Sequence, residues 1–394
     1  MKKRIFRYLK HISLTFLVLA LLAIVFGLYH GASASFGHNP LRLSFDGEGP
    51  YVFYKNDSTL NVNYIKGNKD DGFYLDQADY STTEAIPVSS FFALDATTFN
   101  FTINTDFETP KSTYNDNNPI LAISDIESGY KTFRDFLINN KVIDQSLNWT
   151  FGKGHLVLVG DFVDRGFSTT QLLWFIYKLE QDAEKQGGNV HFIIGNHELK
   201  NMHGDYEATE LKYTYVAAML GKTQANLYDS NSVLGRWMAS KNVIESINGN
   251  LFAHGGLHPD IANLGMSLDE INDFLRSNYD TAPYPKAIKS KTDLLLSTKT
   301  GVCWYRGYFK EDLTQEDVEK PLTQFNAKAI IVGHTLQSKV KSFYKGKVIG
   351  IDVKHSKDYH KNWPGKDSEG LLIEGNQYYR VFNNGEKEEM KRMP

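Results

Sequence analysis

Five short apolar runs in this chain end in the same way. NPILAISDIESG closes on Asp125 and Glu127, HLVLVGD on Asp161, NVHFIIGNHE on Asn196 and His197, NGNLFAHGG on His254, and AKAIIVGH on His334. Each run is too short for a helix and is rich in Val, Ile, Leu and Phe, as strands buried on both faces are. Helical spacing follows the first two, in YKTFRDFLINNKVI (130–143) and TTQLLWFIYKLEQDAEKQ (169–186). KVIGIDV (347–353) reads as one more strand. Strand–helix alternation of this kind predicts an α/β fold, in which ligands gather at the carboxyl ends of strands. A single strand-end Asp is usually a helix cap, and a single His is usually structural. Five ends bearing oxygen or imidazole donors in one chain are not explained as caps. Together they have the composition of a two-metal centre, in which a carboxylate bridges ions roughly 3.5–4 Å apart.

Residues 40–110 carry no such ends. YVFY (51–54), LNVNYI (60–65), GFYL (72–75), SFFALD (90–95) and FNFTI (99–103) are short aromatic or β-branched runs punctuated by Asn, Asp and Gly, the signature of strands. The expectation is a small β-rich accessory region over 35–115. Polar, turn-rich TPKSTYNDNNP (109–119) separates it from a main domain over 116–394. Segments 199–247 and 265–320 are more polar and helical, and read as insertions or lids.

The first 34 residues form a separate unit. MKKRIFRYLK carries five Lys/Arg and no acid, and residues 12–29 carry no charge. Ala32-Ser33-Ala34 has the small-x-small form of a cleavage site. A cleaved signal peptide and a retained membrane anchor both fit. Either way the positive residues stay inside, so the remainder is expected outside the cytoplasm, periplasmic or extracellular. Cleavage would remove five positive charges and take the formal net charge from −3 to −8. An acidic mature chain argues against nucleic acid as a partner. The only cysteine is Cys303, which excludes an intramolecular disulfide and has no base beside it in sequence for nucleophilic catalysis. Neither a G-x-S-x-G elbow nor an HExxH helix is present.

In order and spacing, GDFVDRG (160–166), GNHE (195–198), HGGLHP (254–259) and VGHT (332–335) resemble the motif blocks of calcineurin-like metallophosphoesterases. The GDxxDRG and HGGL forms resemble the phosphoprotein-phosphatase branch. CWYRGY (303–308) and VGHTLQ (332–337) are most similar to the Shewanella-like protein phosphatases. The resemblance implies a β-sandwich flanked by helices and a metal-dependent phosphatase. It further implies that Asp161 bridges two ions, that Asn196, His254 and His334 complete the second site, and that Asp125 holds the first. It assigns Arg165 and Arg306 to the phosphate oxygens and makes His197 the acid for the leaving group, oriented by Asp164. A water activated by the two cations would attack phosphorus in line.

The chain departs from the family at the first motif. Asp-x-His, usually within GDxHG, is here SDIESG, with Ser124 for Gly and Glu127 for His. Three readings of Glu127 follow. As a ligand it would make an all-carboxylate first site, favouring Mn, Mg or Fe over Zn. If it misses the metal, the first site is weak. If the change marks decay, the protein only binds, although His197, Asp164, Arg165 and Arg306 are all retained. Where many phosphoesterases outside this branch carry a further His, this chain has Leu336. The expected substrate is a phosphate monoester, on protein or a small molecule. The alternatives are nucleoside polyphosphate hydrolysis, or a non-catalytic phosphate-binding surface protein holding partners through the degenerate first site and the 40–110 β-element; an uncleaved leader would attach the chain to the membrane. His258, His203 and Tyr305 are read as lining or packing residues, and His355 and His360 as exposed structural ones.

Overall fold

Strand periodicity sorts the buried residues into two layers. In the computed structural model, which describes residues 2–29, 34–37, 39, 44–281, 290–363 and 368–390, the run 120–123 sends Ile120 and Ala122 to one core and Leu121 and Ile123 to another. Val157 and Val159 part from Leu156 and Leu158 in the same way, and Ile331 from Ile330 and Val332. Side chains alternate across a strand, so an unbroken apolar run must be covered on both faces. One core lies between two sheets and the other beneath helices, giving a β-sandwich flanked by helices.

Each sheet has six strands. The first runs Asn189–Ile193, His155–Val159, Ile120–Ile123, Glu369–Glu374, Gln377–Phe382 and Lys387–Glu389. The second runs Lys341–Phe343, Val348–Gly350, Ala329–Val332, Asn250–Ala253, Ile244–Ile247 and Thr113–Tyr114. Three neighbouring strands in each are parallel: Ile120 registers with His155 and Asn189 with His155 in one, Asn250 with Ala329 and Ile330 with Val348 in the other. Six parallel strand ends therefore open onto one rim, and every predicted site residue but Arg306, which starts the short helix Gly307–Lys310, lies there or just after.

The C-terminal strands completing the first sheet were not anticipated. Their signal is weak but present: Leu371 and Ile373 alternate on one face, and Gly375-Asn376 joins Glu374 to its cross-strand partner Gln377. Gly375 has φ +61, as the first central position of a two-residue hairpin turn requires.

The accessory strands form a three-stranded sheet, Glu48–Asn56, Thr59–Asn68 and Gly72–Ser81, and a hairpin, Ile86–Phe92 with Thr97–Ile103. They share a core with the helix Thr169–Glu184. Trp174 on that helix is fully buried, lies 5.0 Å from the Phe101 ring and donates its indole N–H to the Pro50 carbonyl at 2.7 Å. Buried Glu48 accepts from Lys212 at 2.8 Å and from Gln171 at 2.9 Å. Thr113–Tyr114 pairs with Ile244–Ile247, so the second sheet begins just before residue 116.

The helix Lys2–Tyr29 is exposed along its length, and Lys3–Tyr29 is long and apolar enough to cross a membrane. The Ala32–Ser33 step of the cleavage-like motif lies outside the described residues.

Candidate active site

The rim loops hold an unusual concentration of left-handed backbone. Asp125, Glu127, Asp161, Asp164, Arg165 and His334 all have φ between 49° and 67°. Such positions cost of order 1–3 kcal/mol each and persist only where surroundings impose them. At Asp161 the imposing group is Glu198 of the GNHE motif. Its buried carboxylate accepts from the backbone N–H of Asp161 at 2.9 Å, Phe162 at 2.8 Å and Gly195 at 2.9 Å. The 125 and 161 loops also bond to each other, Asp125 N–H to Gly160 and Glu127 N–H to Asp161, each at 3.0 Å. Glycine is required where the loops converge. A Cβ on Gly195 would stand 2.5 Å from Asp161 Oδ1, and one on Gly333 2.6 Å from Asp125 Oδ2.

Asp161, His254 and His334 bring one donor atom each within 4.8 Å of one another, and all three are buried. His254 Nε2 lies 3.2 Å from Asp161 Oδ1 and 3.1 Å from Asn196 Oδ1. Its Nδ1–H donates to the Val159 carbonyl at 2.7 Å, which fixes the tautomer and turns Nε2 inward, as a ligating imidazole requires. His334 Nε2 is buried with no hydrogen-bond partner. Asp125 Oδ2 accepts from Ser124 Oγ at 2.6 Å and from His334 N–H at 3.1 Å. An orphaned imidazole nitrogen facing carboxylates is a donor set that fits a metal cation.

The charges lead to the same fit. Burial and the neighbouring Asp352 and Asp161 carboxylates push Asp125 well above the usual carboxylate range. Burial, with Asp161 and Glu127, pushes Asp352 up to about 7. Burial opposes ionisation of Asp161 as well, but the imidazoles of His254 and His197 hold it low. Burial opposes charge on His254, yet Asp161 and Asp125 raise it to about 10. Three acids this close, away from water, call for positive charge between them.

His197 Nδ1 lies 2.7 Å from Asp164 Oδ2, and His197 Nε2 accepts from Arg165 Nη2 at 2.9 Å. Asn201 Nδ2 and Thr209 Oγ1 each donate to Asp164 Oδ1 at 2.8 Å. Arg306 is anchored by the His334 carbonyl and by Thr335 Oγ1 at 3.3 Å. Asp125, Glu127, Asp161, Asn196, His197, Arg165, Arg306 and His334 line one cavity of about 940 Å³. His254, fully buried, adjoins it through Asp161. All ten predicted positions thus come together, but Glu127 pairs with Arg165 rather than with the metal donors. One of its oxygens meets Arg165, and the other accepts from Lys357 Nζ at 3.1 Å.

The calcineurin-like phosphoesterase profile matches residues 118–338, more than half of the chain. This chain belongs to the calcineurin-like phosphoesterase family. It is similar to Shewanella-like protein phosphatase 2 of Arabidopsis thaliana, 23% identical over 74% of this chain and 84% of that one. Shewanella-like protein phosphatase 1 of Plasmodium berghei is 28% identical over 56% of this chain and 62% of its own. The solved cold-active protein-tyrosine phosphatase of a psychrophilic Shewanella is 30% identical, with a TM-score of 0.73 over 87% of this chain and 99% of that one. The chain is accordingly a metal-dependent phosphatase of the calcineurin-like phosphoesterase fold.

Several residues of this phosphoesterase were missed in the sequence. Glu198, Asn201 and Thr209 hold the loops and the His–Asp pair. Asp352 follows the sixth rim strand, Val348–Gly350, in the run KVIGIDV, and an acid after an apolar strand was signal enough to find it. His355, expected exposed, is buried: its Nε2 bonds the Ser124 carbonyl at 2.9 Å, beneath the Asp125 loop. Cys303 is buried and its thiol is pushed up by burial, away from nucleophilic use.

Proposed function

We propose that this phosphatase hydrolyses phosphate monoesters, with tyrosine phosphate on proteins as the foremost substrate, at a centre of two metal ions. The observation that carries this reading is His197, held at 2.7 Å by Asp164 in the cavity that also presents the metal donors and two arginines. Binding alone does not require an acid. The tyrosine assignment follows the name of the solved relative at 30% identity.

Asp161 would bridge the ions, with Asn196, His254 and His334 on the second and Asp125 on the first. When bound, the ions supply Lewis acidity that polarises the phosphoryl group and makes an attacking water nucleophilic. The chain's own groups do the rest. Arg165 and Arg306 clamp phosphoryl oxygens through planar, paired donors, which suits a monoester dianion better than a diester. Asp164 fixes the His197 imidazole through Nδ1; with Arg165 drawn from Nε2 to the substrate phosphate, Nε2 would carry the proton given to the leaving oxygen. An oxygen-rich first site favours Mn, Mg or Fe over Zn. The helix Lys2–Tyr29, whose first turns carry the basic residues, supports placement of the catalytic part outside the cytoplasm, with residues 35–115 as an accessory element and 116–394 as the phosphoesterase domain.

The test is hydrolysis by the metal-stripped protein as Mn is restored, comparing p-nitrophenyl phosphate, its bis-ester, a phosphotyrosine peptide and a dinucleoside polyphosphate. Metal-dependent turnover of monoester and peptide over the other two is expected. Preference for the polyphosphate would replace the reading, and no turnover with any ion would remove it.

A further inference from the structure

We propose that Asp352, rather than Glu127, completes the first metal site together with Asp125 and Asp161. This rests on the two-ion reading above and assigns a ligand that the motif blocks do not.

Glu127 is already engaged. Arg165 takes one carboxylate oxygen and Lys357 Nζ takes the other at 3.1 Å. Turning Glu127 to an ion would strip both cations, one of which is a phosphate clamp. Its side chain is 22% exposed, at the mouth of the cavity rather than its floor.

Asp352 is in the opposite condition. It is 7% exposed, lines the same cavity, and none of the described residues makes a hydrogen bond or ion pair to its carboxylate. A buried carboxyl that accepts no hydrogen bond is disfavoured, which leaves Asp352 available to a ligand. Its place is fixed by the sheet. Val348–Gly350 lies parallel beside Ala329–Val332, the strand that delivers His334. Gln337 N–H donates to the Asp352 carbonyl at 2.8 Å, tying this strand end to the loop after His334. Across the cavity, Asp125 Oδ2 accepts from Ser124 Oγ and the His334 N–H, so these two donors leave Oδ1 to other partners. Asp352 is the charged group acting most strongly on Asp125, with Asp161 also in range. Asp125, Asp161 and Asp352 line one cavity, and three carboxylates there make an oxygen-rich site for a hard ion, with Mn or Mg preferred.

The arrangement gives Glu127 a different task. It positions Arg165 and Lys357 at the cavity mouth, which is why a Glu is tolerated where the family carries a His.

The experiment is metal counting on the full chain. The protein is stripped, reloaded with Mn, dialysed and assayed by elemental analysis, with the Mn EPR spectrum recorded for exchange coupling. Wild type is expected to hold about two ions, spin-coupled through the bridge. Asp352→Asn should retain about one, with an uncoupled spectrum, while Glu127→Gln keeps about two. Two coupled ions in Asp352→Asn, or loss of one in Glu127→Gln, would overturn the assignment and leave the two-ion reading standing. Fewer than two ions in wild type would overturn both. Should Asp352→Asn not fold, Asp352→His replaces an oxygen donor by nitrogen. Its expected signature is a shift of the first site from Mn toward Zn in competition, and an unshifted preference would count against Asp352.

Discussion

His197 Nδ1 stands 2.7 Å from Asp164 Oδ2, and the other Asp164 oxygen is held by Asn201 and Thr209 at 2.8 Å each. The acid is therefore oriented by a residue that is itself fixed. Burial works against a charged His197, but Asp161 and Asp164 raise its pKa above the ordinary value. A raised pKa keeps the imidazolium available at neutral pH, and the proton is lost as pH rises through the folded value.

His197→Gln should lower kcat by about 10²–10⁴, the range of general-acid catalysis, with a smaller loss for p-nitrophenyl phosphate than for a phosphoserine peptide. Nitrophenolate leaves without a proton, whereas an alkoxide does not. Asp164→Asn removes one of the charges that raise His197, so the alkaline limb of the kcat–pH profile should move to lower pH. An equal loss on both substrates, with no movement of the limb, would show that His197 is not the acid.

Arg306 is poised by the His334 carbonyl and Thr335. Hydrogen bonds to charged groups contribute about 1.5–3 kcal/mol, so Arg306→Ala should reduce kcat/KM for a monoester by roughly 10–100-fold. Arg306→Lys should recover little, because an ammonium cannot offer the paired planar donors. Full activity in the lysine variant would mean that only charge matters at that position.

The strand runs themselves gave an α/β reading, because the central strands are apolar on both faces and end in functional residues; the sandwich came from the family resemblance of the motif blocks. Glycine-plus-donor ends such as Gly160-Asp161 and Gly333-His334 carry geometry in sequence, since any larger residue would collide there. What could not be read were partners distant in sequence. Nothing local in SDIESG says that Glu127 meets Lys357, 230 positions on, or that Glu198 braces the 161 loop. The C-terminal strands were missed because the half-exposed Gln377–Phe382 carries only a weak alternating pattern. His355 was misjudged because its burial depends on the Ser124 carbonyl across the rim.

That contact makes His355 a source of acid sensitivity. Its Nε2–H donates to Ser124, while Nδ1 is buried without a partner. Protonation would place an N–H where nothing accepts it, and burial lowers the pKa from the ordinary 6.5 to about 4. Between those values the unfolded chain binds the proton and the folded chain does not, so stability rises with pH there. The contribution is complete above about pH 6.5 and is lost as pH falls toward 4, on the order of 3 kcal/mol from this group. Urea midpoints at pH 7 and pH 5 should converge in His355→Gln relative to wild type, and an unchanged difference would assign the acid loss to the carboxylates.

The last prediction concerns whether residues 35–115 stand alone. Trp174 belongs to the phosphoesterase part, but its ring lies against Phe101 and its indole N–H bonds Pro50. Trp→Ala in a core costs about 3–5 kcal/mol, and the stranded Pro50 carbonyl adds about 1–3 kcal/mol. Against a total of about 5–15 kcal/mol for a native protein, Trp174→Ala should come close to unfolding the chain. Because the accessory strands and the helix Thr169–Glu184 share one core, they should unfold together. We expect a single transition in wild type, with activity and tryptophan fluorescence lost at the same urea concentration, and a large shift of both in Trp174→Ala. Activity that outlasts a first fluorescence transition would instead make the accessory strands a separate folding unit.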